Sequence, residues 1–186
     1  MAKAVAGPSI APFYAGWNLA NEGLIAAIAP LTAEQLALPI GSPAWPIWAS
    51  VSHIAGARVY WLCHVFGEPG AETTPFFPDS YIDAGWEDDL AHPRRADELV
   101  HALRSSWRIV AHALETWTPD TLGREARRVR GDVARLHTRQ SVLMRLITHD
   151  AYHCGEIALT LGSHGLQGES PNGPIDMWAG LSRPAP

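Results

Sequence analysis

The sequence predicts an all-α protein, built as a four-helix bundle with a long connection after the second helix. Three observations point there. Four stretches repeat apolar residues at spacings of three and four, the period of a helix that buries one face. The span between the second and third stretches is crowded with Gly and Pro. The 186 residues are 47% hydrophobic and 18% charged, enough apolar material for one core.

The first helix is expected over residues 12–29, where Phe13, Trp17, Ala20, Leu24 and Ile28 form one stripe. Thr32 and Gln35 are spaced as a capping box for a short helical turn. The second helix should begin near residues 43–45 and end near Gly67, with Ser42 as cap before Pro43, and Pro46 tolerated in the first turn. Residues 48–66 are apolar nearly all round, broken chiefly by Ser50, Ser52, His53, Arg58 and His64, so this helix should be buried on several sides.

Residues 67–93 read as a long connection that packs down through Phe76, Phe77, Tyr81 and Trp86. The third helix is expected over residues 96–117. Its stripe is Leu99, Leu103, Trp107, Val110, Leu114 and Trp117, with His101, Arg104, Arg108, His112 and Glu115 on the far side. A basic stretch follows, from Arg124 to Arg139, in which Gly131-Asp132 is a weak signal for a hairpin turn. The fourth helix should start near Thr138 and end at Gly162 or Gly165. Residues 1–168 are thus expected to form the bundle. Residues 169–186 are expected to be a Gly/Pro-rich tail, tacked down by Trp178 and adding nothing to the core.

Charge and cysteine usage exclude several classes. With 14 basic against 19 acidic residues the chain carries a formal charge of -5, a poor start for nucleic-acid binding. No apolar run is long enough to span a bilayer, and no targeting segment is evident, so a soluble, cytoplasmic protein with no membrane partner is expected. Cys63 and Cys154 form no CxxC pair and no disulfide framework.

The strongest local signal is Thr148-His149-Asp150-Ala151-Tyr152-His153-Cys154-Gly155-Glu156-Ile157. Residues four apart on a helix share a face, so His149 and His153 can grip one ion, as in HExxH proteins. Asp150 stands where the general-base Glu of that motif would be. The pair has two readings, metal ligands or two surface histidines. Turned at 100° per residue, the pair flanks the apolar stripe beside Val142, Glu156 and Thr160, as a site inside a bundle requires. A third ligand is needed for a site with an open position. His53 is the candidate, with Ala49, Gly56, Ala57 and Tyr60 on its face; its residues alone also fit a hydrogen-bonded core histidine. Asp150 falls within the apolar stripe and must be hydrogen-bonded there, either to orient a ligand histidine or, as favoured, to satisfy another helix. His64 lies three turns from His53, too far for the same ion. Solvated or capping roles are expected for the remaining histidines, core-filling for the two cysteines, and a solvated basic loop, or else an attractor of anionic substrate, for the arginine stretch.

The segment Trp48-Ala49-Ser50-Val51-Ser52-His53-Ile54-Ala55, followed by Trp61, resembles the second-helix motif of the DinB-like (DinB/YfiT-like) superfamily. The segment Leu146 to Ile157, with His149 and His153, resembles its fourth-helix motif, although Cys154 and Glu156 replace the usual Arg and Gln. The resemblance covers most of residues 13–165. It implies an up-down-down-up bundle and a metal held by His53, His149 and His153. It further implies a metal-dependent thiol S-transferase, since relatives use mycothiol, bacillithiol or glutathione. A related hydrolase is the neighbouring possibility, and a non-enzymatic stress-response protein that binds metal or a small molecule is the alternative. Zinc is the first expectation for the ion, with nickel, iron or manganese also compatible. Partners implied are a small-molecule substrate or thiol and a second copy of the chain, since eight Trp and an apolar second helix offer more apolar surface than one bundle hides. Glu156 shares the face of His149 and His153. It is the candidate catalytic residue, as a fourth ligand or proton acceptor, against a plain solvated position.

Overall fold

The computed structural model describes residues 7–41, 45–76, 89–166, 168 and 173–176. Most of these residues are helical. A 3-10 turn, Ala11–Tyr14, precedes helix α1, Trp17–Ile28. The break corrects the expected single helix from residue 12. Pro12 opens the 3-10 turn, α1 starts only after Gly16, and Phe13 is left exposed instead of joining the stripe. Trp17, Ala20, Leu24, Ile25 and Ile28 carry the buried face.

Helix α2, Ala33–Leu36, is the expected short turn, and both halves of its capping box form. Gln35 N–H donates to Thr32 Oγ1, and Thr32 N–H donates to Gln35 Oε1. Strand β1, Pro39–Ile40, then pairs antiparallel with β2, Trp45–Pro46. Helix α3, Ile47–Val59, therefore starts later than expected, because Trp45 and Pro46 are extended and Pro46 is its N-cap. Ser42 and Pro43 lie outside the described residues. As its sequence implied, α3 is buried on nearly every side. It runs into a π-helical turn, Tyr60–Val65, with Phe66 N–H reaching back five residues to the Trp61 carbonyl.

In the connection that follows, Phe76 is fully buried, as expected of a loop packed down on the core; Phe77, Tyr81 and Trp86 lie outside the described residues. Helix α4, Ala96–Thr116, buries Leu99, Leu103, Val110 and Leu114 and exposes His101, Arg104, Arg108, His112 and Glu115. The basic stretch is a hairpin. Strand β3, Glu125–Arg130, pairs antiparallel with β4, Val133–Thr138, across the two-residue turn Gly131-Asp132. Gly131 sits at φ 55, a conformation that glycine adopts without strain. Helix α5, Arg139–Ser163, is capped by Thr138 and ends at His164 before Gly165, at φ 73. The two small sheets qualify the all-α expectation.

The apolar faces of α1, α3, α4 and α5 meet in one core, in which α3 packs against both α4 and α5, and α1 against α4. Ile175 belongs to that core, so the expectation that the tail adds nothing is corrected. The anchor is an aliphatic side chain beside Gly23, whereas Trp178 lies outside the described residues. Among the described residues no helix is long and apolar enough to cross a membrane.

Candidate metal centre

Helix α3 supplies His53, and α5 supplies His149 and His153 one turn apart. The packing of α3 on α5 converts this sequence separation into contact. One ring nitrogen from each histidine falls within 4.8 Å of the others. The Nε2 atoms of His149 and His53 stand 2.9 Å apart. Ring centroids are separated by 4.7 Å for His53–His149, 5.2 Å for His53–His153 and 4.6 Å for His149–His153. All three sequence candidates are thus brought together, and among the described residues no other trio of His, Cys, Asp or Glu meets the same condition.

The donor set fits a divalent cation. Nitrogens on one tetrahedral zinc stand roughly 3.3 Å apart, which follows from Zn–N distances of about 2.0–2.1 Å. The His149–His53 separation of 2.9 Å lies close to that value, and the third nitrogen lies within 4.8 Å of both. Electrostatics favour the neutral, ligating form. Burial, followed by the neighbouring His53 and His153, pushes His149 down to about 3. His153 is also lowered, chiefly by burial, with Glu156 opposing. The two groups therefore offer lone pairs at neutral pH.

Glu156 is where the helical wheel put it, and its contact is specific. Glu156 Oε2 accepts a hydrogen bond from His153 Nδ1 at 2.8 Å. That bond fixes the tautomer with the proton on Nδ1 and leaves Nε2 free to ligate. An open cleft of about 240 Å³ leads to the histidines, bounded by Ile40, Gly41, Trp45, Tyr152 and Glu156. Trp45 sets its ring edge against His53 at 5.4 Å. Gly41 has φ 62, and a Cβ there would sit 3.3 Å from Glu156 Oε1. The β1–β2 wall was not anticipated. Its sequence, a two-residue strand among prolines, has no periodicity to detect.

Beneath the histidines lies a buried ion pair. Arg58 donates to Asp150 Oδ2 through Nε at 3.1 Å and Nη2 at 2.7 Å, Trp17 Nε1 donates to the same oxygen at 2.9 Å, and Arg58 Nη1 donates to Asn21 Oδ1 at 2.7 Å. Asp150 thus satisfies other helices, the structural role its place in the stripe suggested. His64 stacks on Tyr60, away from the trio, and Cys63 and Cys154 are unbridged thiols. His101 and His112 are exposed, His92 bonds Asp89, and His164 caps α5.

The fold and site together define a mostly helical protein with three histidines converging from two packed helices. A family model described as the DinB superfamily matches residues 17–157, and the chain belongs to that superfamily. The chain is also similar in fold to the crystal structure of a DinB-like protein from Bacillus cereus, at 21% identity and a TM-score of 0.64, covering 89% of this chain and 99% of that one. No curated protein matches the chain.

Proposed function

We propose that His53, His149 and His153 hold one divalent metal ion and that the protein is a metal-dependent thiol S-transferase. The observation that carries this reading is the meeting of three imidazole nitrogens within 4.8 Å at the end of an open cleft. Zinc is the first choice for such a donor set, with nickel, iron or manganese as the other candidates. When bound, the ion supplies a positive charge that favours the ionised form of a thiol or water beside it.

The remaining roles follow from the chain's own groups. Cys63 and Cys154 are pushed up to about 12 by burial, so neither is a nucleophile near neutral pH. The attacking sulfur is therefore that of a small thiol from solution, a mycothiol, bacillithiol or glutathione type of molecule. Its sulfur forms a bond to an electrophilic carbon, the leaving group departs with its electron pair, and Glu156, lining the cleft, takes the thiol proton. The cleft's openness favours this enzyme over a closed, non-enzymatic metal- or small-molecule-binding stress protein. A hydrolase would use the same site with water.

Three further proposals complete the reading. Helices α1, α3, α4 and α5 form an up-down-down-up four-helix bundle, supported by their shared core. The protein is cytoplasmic and takes neither nucleic acid nor membrane as partner. It forms a homodimer, supported by exposed apolar side chains such as Phe13 and Leu159, at 79% and 78%. The test of function is conjugation of each thiol to an activated aryl halide by zinc-loaded protein. The expected result is a thioether whose formation needs metal and is lost in His149→Ala/His153→Ala. A water-derived product without thiol would instead make the protein a hydrolase.

A further inference from the structure

Residues 124–145 hold seven arginines, at positions 124, 127, 128, 130, 135, 139 and 145, against two carboxylates, Glu125 and Asp132. Arg139 is paired with Glu68 at 3.0 Å. Among the described residues the other six have no carboxylate within 4.0 Å. Two of them are held in place all the same. Arg128 lies over the Trp61 ring at 5.2 Å and over Tyr60 at 5.3 Å, with its Nε donating to Tyr60 Oη at 2.7 Å. Arg145 lies over the same Trp61 ring at 4.8 Å. The ring of His137 meets Trp61 at 4.8 Å, and its buried Nε2 has no hydrogen-bond partner among the described residues. A pocket of about 340 Å³ opens there, lined by His137, Ser141, Met144, Arg145 and Thr148.

A solvated basic hairpin would leave its guanidiniums loose. Here stacking has already ordered two like charges on one indole, an arrangement that costs repulsion until an anion joins them. Their Nη donors remain available, and paired N–H donors suit an oxyanion. His137, lowered by burial and by Arg145, Arg128 and Arg135, is a neutral imidazole that can donate one further N–H. We propose that this pocket is a binding site for the oxyanion group, carboxylate or phosphate, of a small molecule, held by Arg145, Arg128 and His137. It lies about 6 Å along α5 from His149, since Arg145 precedes that histidine by one helical turn. A ligand anchored here by its anionic end reaches toward the histidine trio. The inference stands whether or not the histidines hold a metal.

Calorimetric titration of the full chain at low ionic strength tests it, using inorganic phosphate and succinate as probes and chloride as the control. The expected result is saturable one-site binding of at least one probe, weakened about tenfold or more in Arg145→Gln and in Arg128→Gln. Arg104→Gln, on the exposed side of α4, should leave affinity unchanged. Arg145→Lys keeps the charge and loses the planar fork, and should fall between the two. Binding of phosphate alone marks a phosphoryl-bearing ligand, and of succinate alone a carboxylate. No binding of either probe by the parent protein overturns the proposal. So does equal weakening in Arg104→Gln, or undiminished affinity in a folded Arg145→Gln, Arg128→Gln double variant. Metal analysis of the same samples keeps this outcome separate from that of the histidine site.

Discussion

The histidines and their immediate partners have separable jobs. Glu156 touches His153 and so acts on the tautomer before anything else. Glu156→Ala should weaken metal affinity about 10- to 100-fold, the usual effect of removing a carboxylate behind a ligand histidine. Glu156→Gln keeps an acceptor at Nδ1 and should bind metal more tightly than the alanine variant; equal affinities would make the bond incidental. Asp150 spends its hydrogen bonds on Arg58 and Trp17 and serves stability. Asp150→Asn leaves the Arg58 guanidinium buried without its counter-charge, and should cost about 3–5 kcal/mol of unfolding free energy in denaturant titration. His149 couples the site to pH. Its ordinary value is 6.5, and burial holds it to about 3 in the folded chain. Its folded-state value is depressed, so its contribution is complete above 6.5. As pH falls below that value the unfolded chain takes up a proton that the folded chain resists until about 3, and stability is lost across that window. Chelated protein should melt lower at about pH 5 than at neutral pH, and His149→Gln should show a smaller difference.

At the scale of elements, the helices were legible because burial imposes a period. The α3 and α5 motifs put His53, His149 and His153 on faces that must pack, and they met. The α2 capping box and the Thr138 cap were readable as local chemistry. What escaped the sequence lacked a period or depended on long-range partners. The β1–β2 wall is too short to alternate. The β3–β4 hairpin was legible only through its Gly131-Asp132 turn, because both strands are mostly exposed and follow no apolar rhythm. Asp150 was legible as a buried acid, but its partner was not, although Arg58 in an apolar helix posed the complementary demand. Ile175 is one apolar residue in a Gly/Pro-rich tail, and only the groove beside Gly23 gives it meaning. Caps and site can be separated by mutation. Thr138→Ala removes the acceptor for Ser141 N–H at the start of α5 and should cost about 1 kcal/mol, seen as a lower melting temperature. Metal affinity should be unchanged, because His149 lies three turns further on.

For the whole molecule, one core from four helices fixes two histidine-bearing helices against each other and leaves a cleft at the histidines and a basic pocket about one turn earlier along α5. The exposed apolar side chains, Phe13 and Leu159 among them, should make the protein a dimer in sedimentation experiments, and a monomer at all concentrations would remove that proposal. The central claim is the metal centre, and its most direct test is metal titration of purified, chelator-treated protein, with bound metal counted after dialysis. The expected result is one divalent ion per chain in the parent, strongly weakened binding in a folded His53→Ala, and none in His149→Ala/His153→Ala. Stoichiometric metal in that double variant would contradict the account.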